Sequence, residues 1–275
     1  MASPRKQFGQ HWLKSEKALG KILATAQLQP TQSVLEIGPG TGILTARILP
    51  QVRSLVAVEI DRDLCDRLTQ RFRQAANFTL LQADILTLAL DQLPHSPNRV
   101  VANIPYNITA PILAKLLGSI PQPVTQFERI VLLVQREIAQ RLTAKPHHKA
   151  HSALSVRSRF LAECEFICDV PATAFYPVPK VDSAVVCLCP RPFPMRPQNP
   201  KFLDKLINMG YLMRRKMLRN NLEPICDRLQ LMNILTSMGI DPQVRAEDLS
   251  LEQWIELSDL LSDLPSDLPS NLSGD

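Results

Sequence analysis

The stretch SVLEIGPGTGILT, residues 33–45, decides the fold. Ser33–Ile37 is an apolar run of strand length that stops on Gly38-Pro39-Gly40-Thr41-Gly42, after which the chain turns helical. A glycine loop at the carboxyl end of a first parallel strand lets the backbone approach a ligand and aims helix N–H groups at it. Tight turns also need glycine, so the loop gains weight only from its neighbours. Working outward, strand-like runs recur at SLVAVEI (54–60), NFTLLQA (77–83), RVVANI (99–104) and ERIVLLV (128–134). Helix-length amphipathic segments at 61–74, 109–118 and 135–144 separate them, and Leu19, Ile22, Leu23 and Ala26 after Ser15 predict a further helix before the first strand. Apolar strands alternating with helices predict an α/β fold, a parallel sheet covered on both faces. ECEFICDV (163–170) and DSAVVCLC (182–189) lack a helix between them, and the Pro-rich PATAFYPVPK joining them suits an antiparallel hairpin with a long tip.

The composition breaks at PRPFPMRPQNP (190–200), whose five prolines exclude helix and central strand and read as a stiff linker. The expected division is a domain over 1–190, a linker over 191–200, and a small helical domain over 201–262 with apolar Leu203, Leu206, Ile207, Leu229, Met232, Leu235 and Met238. A low-complexity Ser-Asp-Leu-Pro tail over 263–275 is expected to be disordered. No run of about 18 uncharged apolar residues is present, so no membrane span is predicted. The start, MASPRKQFGQHWLKSEK, has no h-region, which gives the cytoplasm as the expected compartment; a monomer without membrane contact is the expected form.

All 31 Lys and Arg residues precede position 246, where eight of the 26 acidic residues begin. A body so basic points to a polyanion such as nucleic acid, or to a merely solvated surface. The six cysteines are expected as reduced thiols. Cys164, Cys168, Cys187 and Cys189 could be imagined as a thiolate metal site, but residues two or four apart on a strand simply share a face, and small core residues are the better reading. His147, His148 and His151, in a Lys-rich turn with no carboxylate or thiolate near them in sequence, read as a solvated loop, and no metal is expected.

Three polar features fall at strand ends. Glu59, 21 residues after Gly38, can accept two hydrogen bonds from a ribose diol, and Asp84 after the third strand can accept from an adenine amino group or cap a turn. The fourth strand ends in Asn103-Ile104-Pro105-Tyr106, which offers an amide oxygen, the Ile104 carbonyl and a ring in one place. Such groups can accept both hydrogens of an exocyclic amine while the ring stacks on its heterocycle. The amine then turns toward pyramidal and frees its lone pair for a methyl sulfonium. The loop lacks the nucleophilic Cys that C5-cytosine methylation needs. The GxGxG spacing of the glycine loop at 38–42 departs from the GxGxxG of nicotinamide oxidoreductases.

With these motifs in order, the chain resembles the rRNA adenine N6,N6-dimethyltransferases. The resemblance is carried by FGQHWL (8–13), LEIGPGTGILT (35–45), VEIDRDL (58–64), QADIL (82–86), NIPYNI (103–108), LLVQREIAQRL (132–142), LSVRSRF (154–160), PATAFYPVPKVDSAVV (171–186) and RRKMLRNNL (214–222). It implies a Rossmann-like class I methyltransferase sheet with a C-terminal helical domain. It also implies S-adenosylmethionine as donor, contacted by His11, Leu13, Gly38, Gly40, Glu59, Asp84 and Asn103. Asn103 would also hold the target N6, Tyr106 would stack on the adenine, and Phe175 would enclose it from the hairpin tip. Arg214, Arg215, Lys216 and Arg219 would meet RNA phosphates. The implied reaction dimethylates two adjacent adenosines in the 3′-terminal hairpin of small-subunit rRNA during ribosome biogenesis. A large-subunit adenine dimethylase and a non-catalytic assembly factor are the alternatives. The family carries Asn-Phe and Tyr-Gly where this chain has His11-Trp12 and His151-Ser152.

Overall fold

The computed structural model describes residues 4, 5 and 9–263, so the expected tail after Asp263 lies outside the described residues. The chain folds into two compact units: residues up to Ala144 together with Arg157–Phe193, and Lys145–Val156 together with the residues from Pro194 onward.

The first unit is built on a seven-stranded sheet. In chain order its strands are β2 (Ser33–Ile37), β3 (Ser54–Glu59), β4 (Phe78–Gln82), β5 (Arg99–Asn103), β6 (Arg129–Gln135), β7 (Ala162–Val170) and β9 (Ser183–Pro190), ordered β4-β3-β2-β5-β6-β9-β7 across the sheet. The first five pair in parallel, and β9 is antiparallel to both β6 and β7. A separate two-residue pair joins β1 (Trp12–Leu13) to β8 (Phe175–Tyr176). Every residue of β2 and β3 is buried, as a strand covered on both faces requires. On one face Leu19, Ile22 and Ala26 of α1 (Glu16–Ala26) pack with Val101, Val131, Leu133 and Val185. Ser15 caps that helix by accepting from the Ala18 amide at 3.3 Å. Helices α2 (Thr45–Ile48), α3 (Arg62–Arg71), α4 (Thr109–Leu117) and α5 (Arg136–Thr143) follow β2, β3, β5 and β6 in turn. β2 is the strand from which the chain winds outward in both directions, so a crevice is expected between the carboxyl ends of β2 and β5.

Helix α6 (Ala153–Leu161) has no counterpart in the sequence reading. Ser155 and Ser158 hold buried positions on it, so the apolar period is concealed, and the Ser158 hydroxyl donates to the Leu142 carbonyl at 3.2 Å.

In the second unit, α7 (Pro200–Gly210) starts on Asn199, whose side chain accepts from Phe202 N, and buries Leu203, Leu206 and Ile207. Helices α8 (Leu218–Asn221), α9 (Arg228–Ser237) and α10 (Leu251–Ser262) follow. The expected face of α9 is corrected: Leu231 and Leu235 are buried, while Leu229, in the first turn that Asp227 caps, is 71% exposed. The histidine loop is corrected as well. His151 is buried with its Nδ1 2.8 Å from the Tyr211 hydroxyl, and the His147 ring stands 3.1 Å from the Asp248 carboxylate, a neighbour brought in by folding. The cysteines are free thiols, and burial pushes Cys187 up to about 11 and Cys164 up to about 12. Among the described residues no group of three or more His, Cys, Asp or Glu side chains is arranged to hold a metal ion, and no helix is long and apolar enough to cross a membrane.

Glu36 sits in the middle of β2 between Ala57 and Val101, with its carboxyl buried and 2.7 Å from the Thr45 hydroxyl. Burial pushes its pKa up to about 8, against a smaller opposing pull from Thr45. The folded state therefore binds this proton more tightly than the unfolded chain. The stability so gained is full below the ordinary carboxylate range and is lost as pH rises toward about 8. Glu36→Gln keeps the shape and a partner for Thr45 while removing the titration. Its melting temperature relative to the unmodified protein is expected to climb from the ordinary carboxylate range up to about pH 8 and to level off above it in thermal unfolding; a difference that stays flat across that range would show Glu36 titrating normally.

Candidate functional site

Strand register assembles the site. Ile37 of β2 lies opposite Val58 of β3 on one side and Ala102 of β5 on the other. One residue further along each strand come Gly38, Glu59 and Asn103, at one level. Glu59 in turn pairs with Gln82 of β4, which places Asp84 just past the same edge. These residues line a cavity of about 1050 Å³, open mouth included, with Tyr106 and His11 on its wall.

The glycine loop follows from the backbone it must adopt. Gly38, Gly40 and Gly42 all have positive φ, at 65°, 58° and 78°. A Cβ on Gly40 would stand 3.3 Å from the Trp12 ring, and one on Gly42 would overlap Phe72 at 2.8 Å and Leu68 at 2.9 Å. The loop thus packs back on α3 and the residue that ends it, and keeps its other side against the cavity.

Glu59 is buried and holds the loop. Its Oε2 accepts from the Gly40 amide at 3.2 Å, and Oε1 accepts from the Ile60 and Asp61 amides at 3.0 Å each. Burial raises its pKa above the ordinary carboxylate value, and the three N–H donors oppose that. The Asp84 carboxylate accepts from Leu86 N at 2.9 Å and still lines the cavity, so it is turn cap and wall at once.

Asn103 is oriented. Its Nδ2 donates to the His11 carbonyl at 3.0 Å, which fixes the amide and leaves Oδ1 as the acceptor free of that bond. Tyr106 follows Pro105 into a turn in which Thr109 Oγ1 donates to the carbonyls of Pro105 and Tyr106 at 3.2 Å each. The Tyr106 hydroxyl lies 2.6 Å from Ser183 Oγ, and its ring stacks on His11 with centroids 5.5 Å apart. His11 Nδ1 is 2.7 Å from the Pro177 carbonyl. That contact needs a proton on Nδ1, so the ring is pinned between the hairpin tip and Tyr106. Gln10 Nε2 and Arg5 Nη1 reach Asp61 at 3.0 and 3.2 Å. Ser183, Asp61 and the Pro177 carbonyl escaped the sequence reading, since only folding brings them to these partners.

Three expected features stand elsewhere. Leu13 is buried behind the glycine loop, paired with Phe175, and is not on the main cavity wall. Phe175 is fully buried in the apolar cluster with Leu19, Val170 and Val185, so it offers no face to a base; the exposed aromatic of that pair is Tyr176, 54% exposed and tilted against Trp12. Arg214, Arg215, Lys216 and Arg219, in the second unit, do not form one helical face. Arg214 to Lys216 lie in the turn between α7 and α8, with Arg214 paired to Glu247 at 3.4 Å, and Arg219 donates to the Pro242 carbonyl at 3.1 Å as part of the fold.

The donor set fits S-adenosylmethionine. Among the described residues its walls carry Glu59 and Asp84 and no Lys or Arg, which suits a nucleoside bearing a sulfonium and opposes a dinucleotide pyrophosphate. Trp12 Nε1, beside Gly40, is a buried donor with no hydrogen-bond partner among the described residues.

A model of the ribosomal RNA adenine dimethylase family matches residues 1–263. A protein of Nostoc sp. strain PCC 7120 named ribosomal RNA small subunit methyltransferase A is 55% identical over 95% of this chain and 99% of its own. Its namesake from Rippkaea orientalis is 56% identical over 95% and 98%. Among solved structures, a dimethyladenosine transferase from Plasmodium falciparum superposes with a TM-score of 0.76 at 25% identity, covering 90% of this chain and 96% of that one. The 23S rRNA methyltransferase ErmE gives 0.73 at 28%, covering 91% and 99%.

The glycine loop yields a test of opposite signs. Gly42→Ala meets both a left-handed backbone and the Phe72 ring, and should lower stability by about 1–3 kcal/mol. Gly20, inside α1 with nothing within 4 Å of its added Cβ, should gain about 0.5–1 kcal/mol on change to Ala. Urea unfolding checks both; equal effects would remove the packing argument.

Proposed function

The chain belongs to the ribosomal RNA adenine dimethylase family, and from that premise we propose that it transfers methyl groups from S-adenosylmethionine to N6 of two adjacent adenosines in the 3′-terminal hairpin loop of small-subunit rRNA. The first unit carries the transfer and the second, helical unit binds RNA. The protein works as a monomer in the cytoplasm on immature small subunits. The observation that carries this reading is the fixed Asn103 amide, whose Nδ2 is taken up by the His11 carbonyl, leaving Oδ1 to accept on the cavity wall that it shares with Tyr106.

S-adenosylmethionine, when bound, supplies an electrophilic methyl on a sulfonium. Glu59 would accept from its ribose hydroxyls and Asp84 from its adenine amine, while the glycine loop would give backbone N–H groups and room. Asn103 Oδ1 and the Ile104 carbonyl accept the two N6 hydrogens of the target base, which turns the nitrogen lone pair toward the methyl. Tyr106 offers the base the ring face that His11 leaves uncovered, and Ser183 holds that ring by its hydroxyl. As the N–C bond forms the S–CH3 bond would break, leaving a neutral thioether, and the ammonium so made is acidic enough to give its proton to water, so no side chain needs a shifted pKa to act as base. Bases of an unpaired loop reach such a site without melting a duplex.

The names of the most similar relatives favour the small subunit. A large-subunit target is the second reading, on the strength of the likeness to ErmE. Mapping dimethyladenosine on both rRNAs after methyl transfer to immature subunits separates them; methylation confined to the large subunit would overturn the proposal, and no transfer at all would leave an assembly factor.

Variants at three positions check the site. Glu59→Ala should weaken S-adenosylmethionine binding by about 1.5–3 kcal/mol in calorimetric titration, and binding to the unmodified protein should fade on acidification earlier than an ordinary carboxylate would predict. Asn103→Ala should cost roughly 10²–10³ in transfer rate with RNA binding kept. Tyr106→Ala should lose stacking worth about 1–3 kcal/mol, and Tyr106→Phe should keep most activity. A Phe variant as slow as the Ala variant, with Ser183→Ala still active, would give the hydroxyl a chemical role beyond positioning and sink the base-free mechanism.

A further inference from the structure

Leu212 and Met213 stand in solvent, 75% and 51% exposed, on a turn that is otherwise held still. The Asn221 amide, buried beneath it, donates to the Gly210 carbonyl at 2.6 Å and to the Met213 carbonyl at 3.2 Å. Lys216 N also donates to Met213 O, at 2.9 Å, and Leu218 N to Val244 O, at 2.8 Å. Tyr211, next to Leu212, donates its hydroxyl proton to the Ala246 carbonyl at 2.8 Å and so accepts from His151 Nδ1. Its ring stacks on the fully buried Trp254 at 5.9 Å. A slack loop could fold two large apolar side chains down onto the helices. This backbone, pinned on either side of them, presents them instead, with no ordering left to be done on contact.

Their neighbours say what they meet. Arg215 and Lys216 follow directly, both exposed, and Arg214 is partly exposed in its pair with Glu247. Two exposed apolar side chains followed directly by two exposed cations, Arg215 and Lys216, match a nucleic acid, whose phosphates take the charges and whose bases accept the apolar tips; a protein partner would meet charge at the centre of its interface. Apolar side chains of this kind insert between base steps and unstack them, and RNA offers such steps at bulges and loops.

We propose that Leu212 and Met213 form a wedge that enters between two bases of the RNA whose phosphates Arg215 and Lys216 hold. The wedge rests on the RNA-binding reading of the helical unit and adds to it a contact with bases, at a place distant in sequence from the Asn103–Tyr106 site.

The test uses the full-length protein and immature small subunits, with filter binding at several salt concentrations and chemical probing of base reactivity in the complex. L212S/M213S should bind about tenfold more weakly with the salt slope unchanged, because every phosphate is still held. A base step that becomes reactive when the unmodified protein binds should stay protected with this variant. R215E/K216E should flatten the slope by roughly 0.7–0.9 for each phosphate it no longer holds. Circular dichroism and S-adenosylmethionine affinity, unchanged in both variants, confirm the fold. Affinity of L212S/M213S within twofold of the unmodified protein overturns the wedge alone, provided R215E/K216E still changes the slope. If neither pair matters, the RNA-binding reading of this turn falls and the wedge with it. A tenfold loss without any change in base reactivity overturns the wedge in favour of a ribosomal protein, and sedimentation that shifts from dimer to monomer with L212S/M213S overturns it in favour of a second copy.

Discussion

The site depends on one constraint, the parallel register of β3, β2 and β5. Because side chains alternate along a strand, a slip of one residue in either pairing would carry Glu59 or Asn103 to the wrong level and face. In register, the strands set a glycine, a carboxylate and an amide side by side where the chain reverses its direction of winding. The glycine leaves backbone open to the cavity, the carboxylate holds the loop from the cavity wall, and the amide, held by the His11 carbonyl, stands on the same wall. None of the three could be moved to a neighbouring loop without losing the rigidity that the buried strands supply.

Most of the fold was legible because its strands are short, apolar and separated by amphipathic helices. Runs of that kind have one stable arrangement, and the strands read from residues 33–37, 54–60, 77–83, 99–104 and 128–134 match β2 to β6 within a residue or two. What escaped had a physical reason in each case. Helix α6 buries serines where a periodic reading expects apolar residues. Leu229 has the spacing of a core residue but sits in a first turn, ahead of the point where α9 begins to pack. The two-residue pair of β1 and β8 joins segments more than 160 positions apart and is too short to leave a pattern.

The site divides the same way. Residues on strand ends were readable, since Gly38, Glu59, Asp84 and Asn103 follow directly from where strands stop. Residues on the hairpin were not, because the choice between Phe175 and Tyr176 turns on which of two adjacent rings faces the core, and the β1–β8 pairing settles it for Phe175. The substitution of His for Asn at position 11 acquires meaning only in three dimensions. The backbone carbonyl of His11 orients Asn103, and its ring, fixed by Pro177, covers one face of Tyr106. One residue thereby links the hairpin tip to both Asn103 and Tyr106.

The distribution of charge completes the argument. A chain with 31 basic residues lines its main cavity, among the described residues, with carboxylates and not one Lys or Arg. A cation there would repel a sulfonium and invite an RNA phosphate into the place of the cofactor. The acids are kept to the number the ligand can use: Glu36, on the strand that leads into the glycine loop, is pushed by burial to about 8 and stands protonated at neutral pH, so it adds no charge beside Glu59. The strand ends that set the pocket's register therefore also set its charge, since the two acids on its wall, Glu59 and Asp84, both stand where a strand stops.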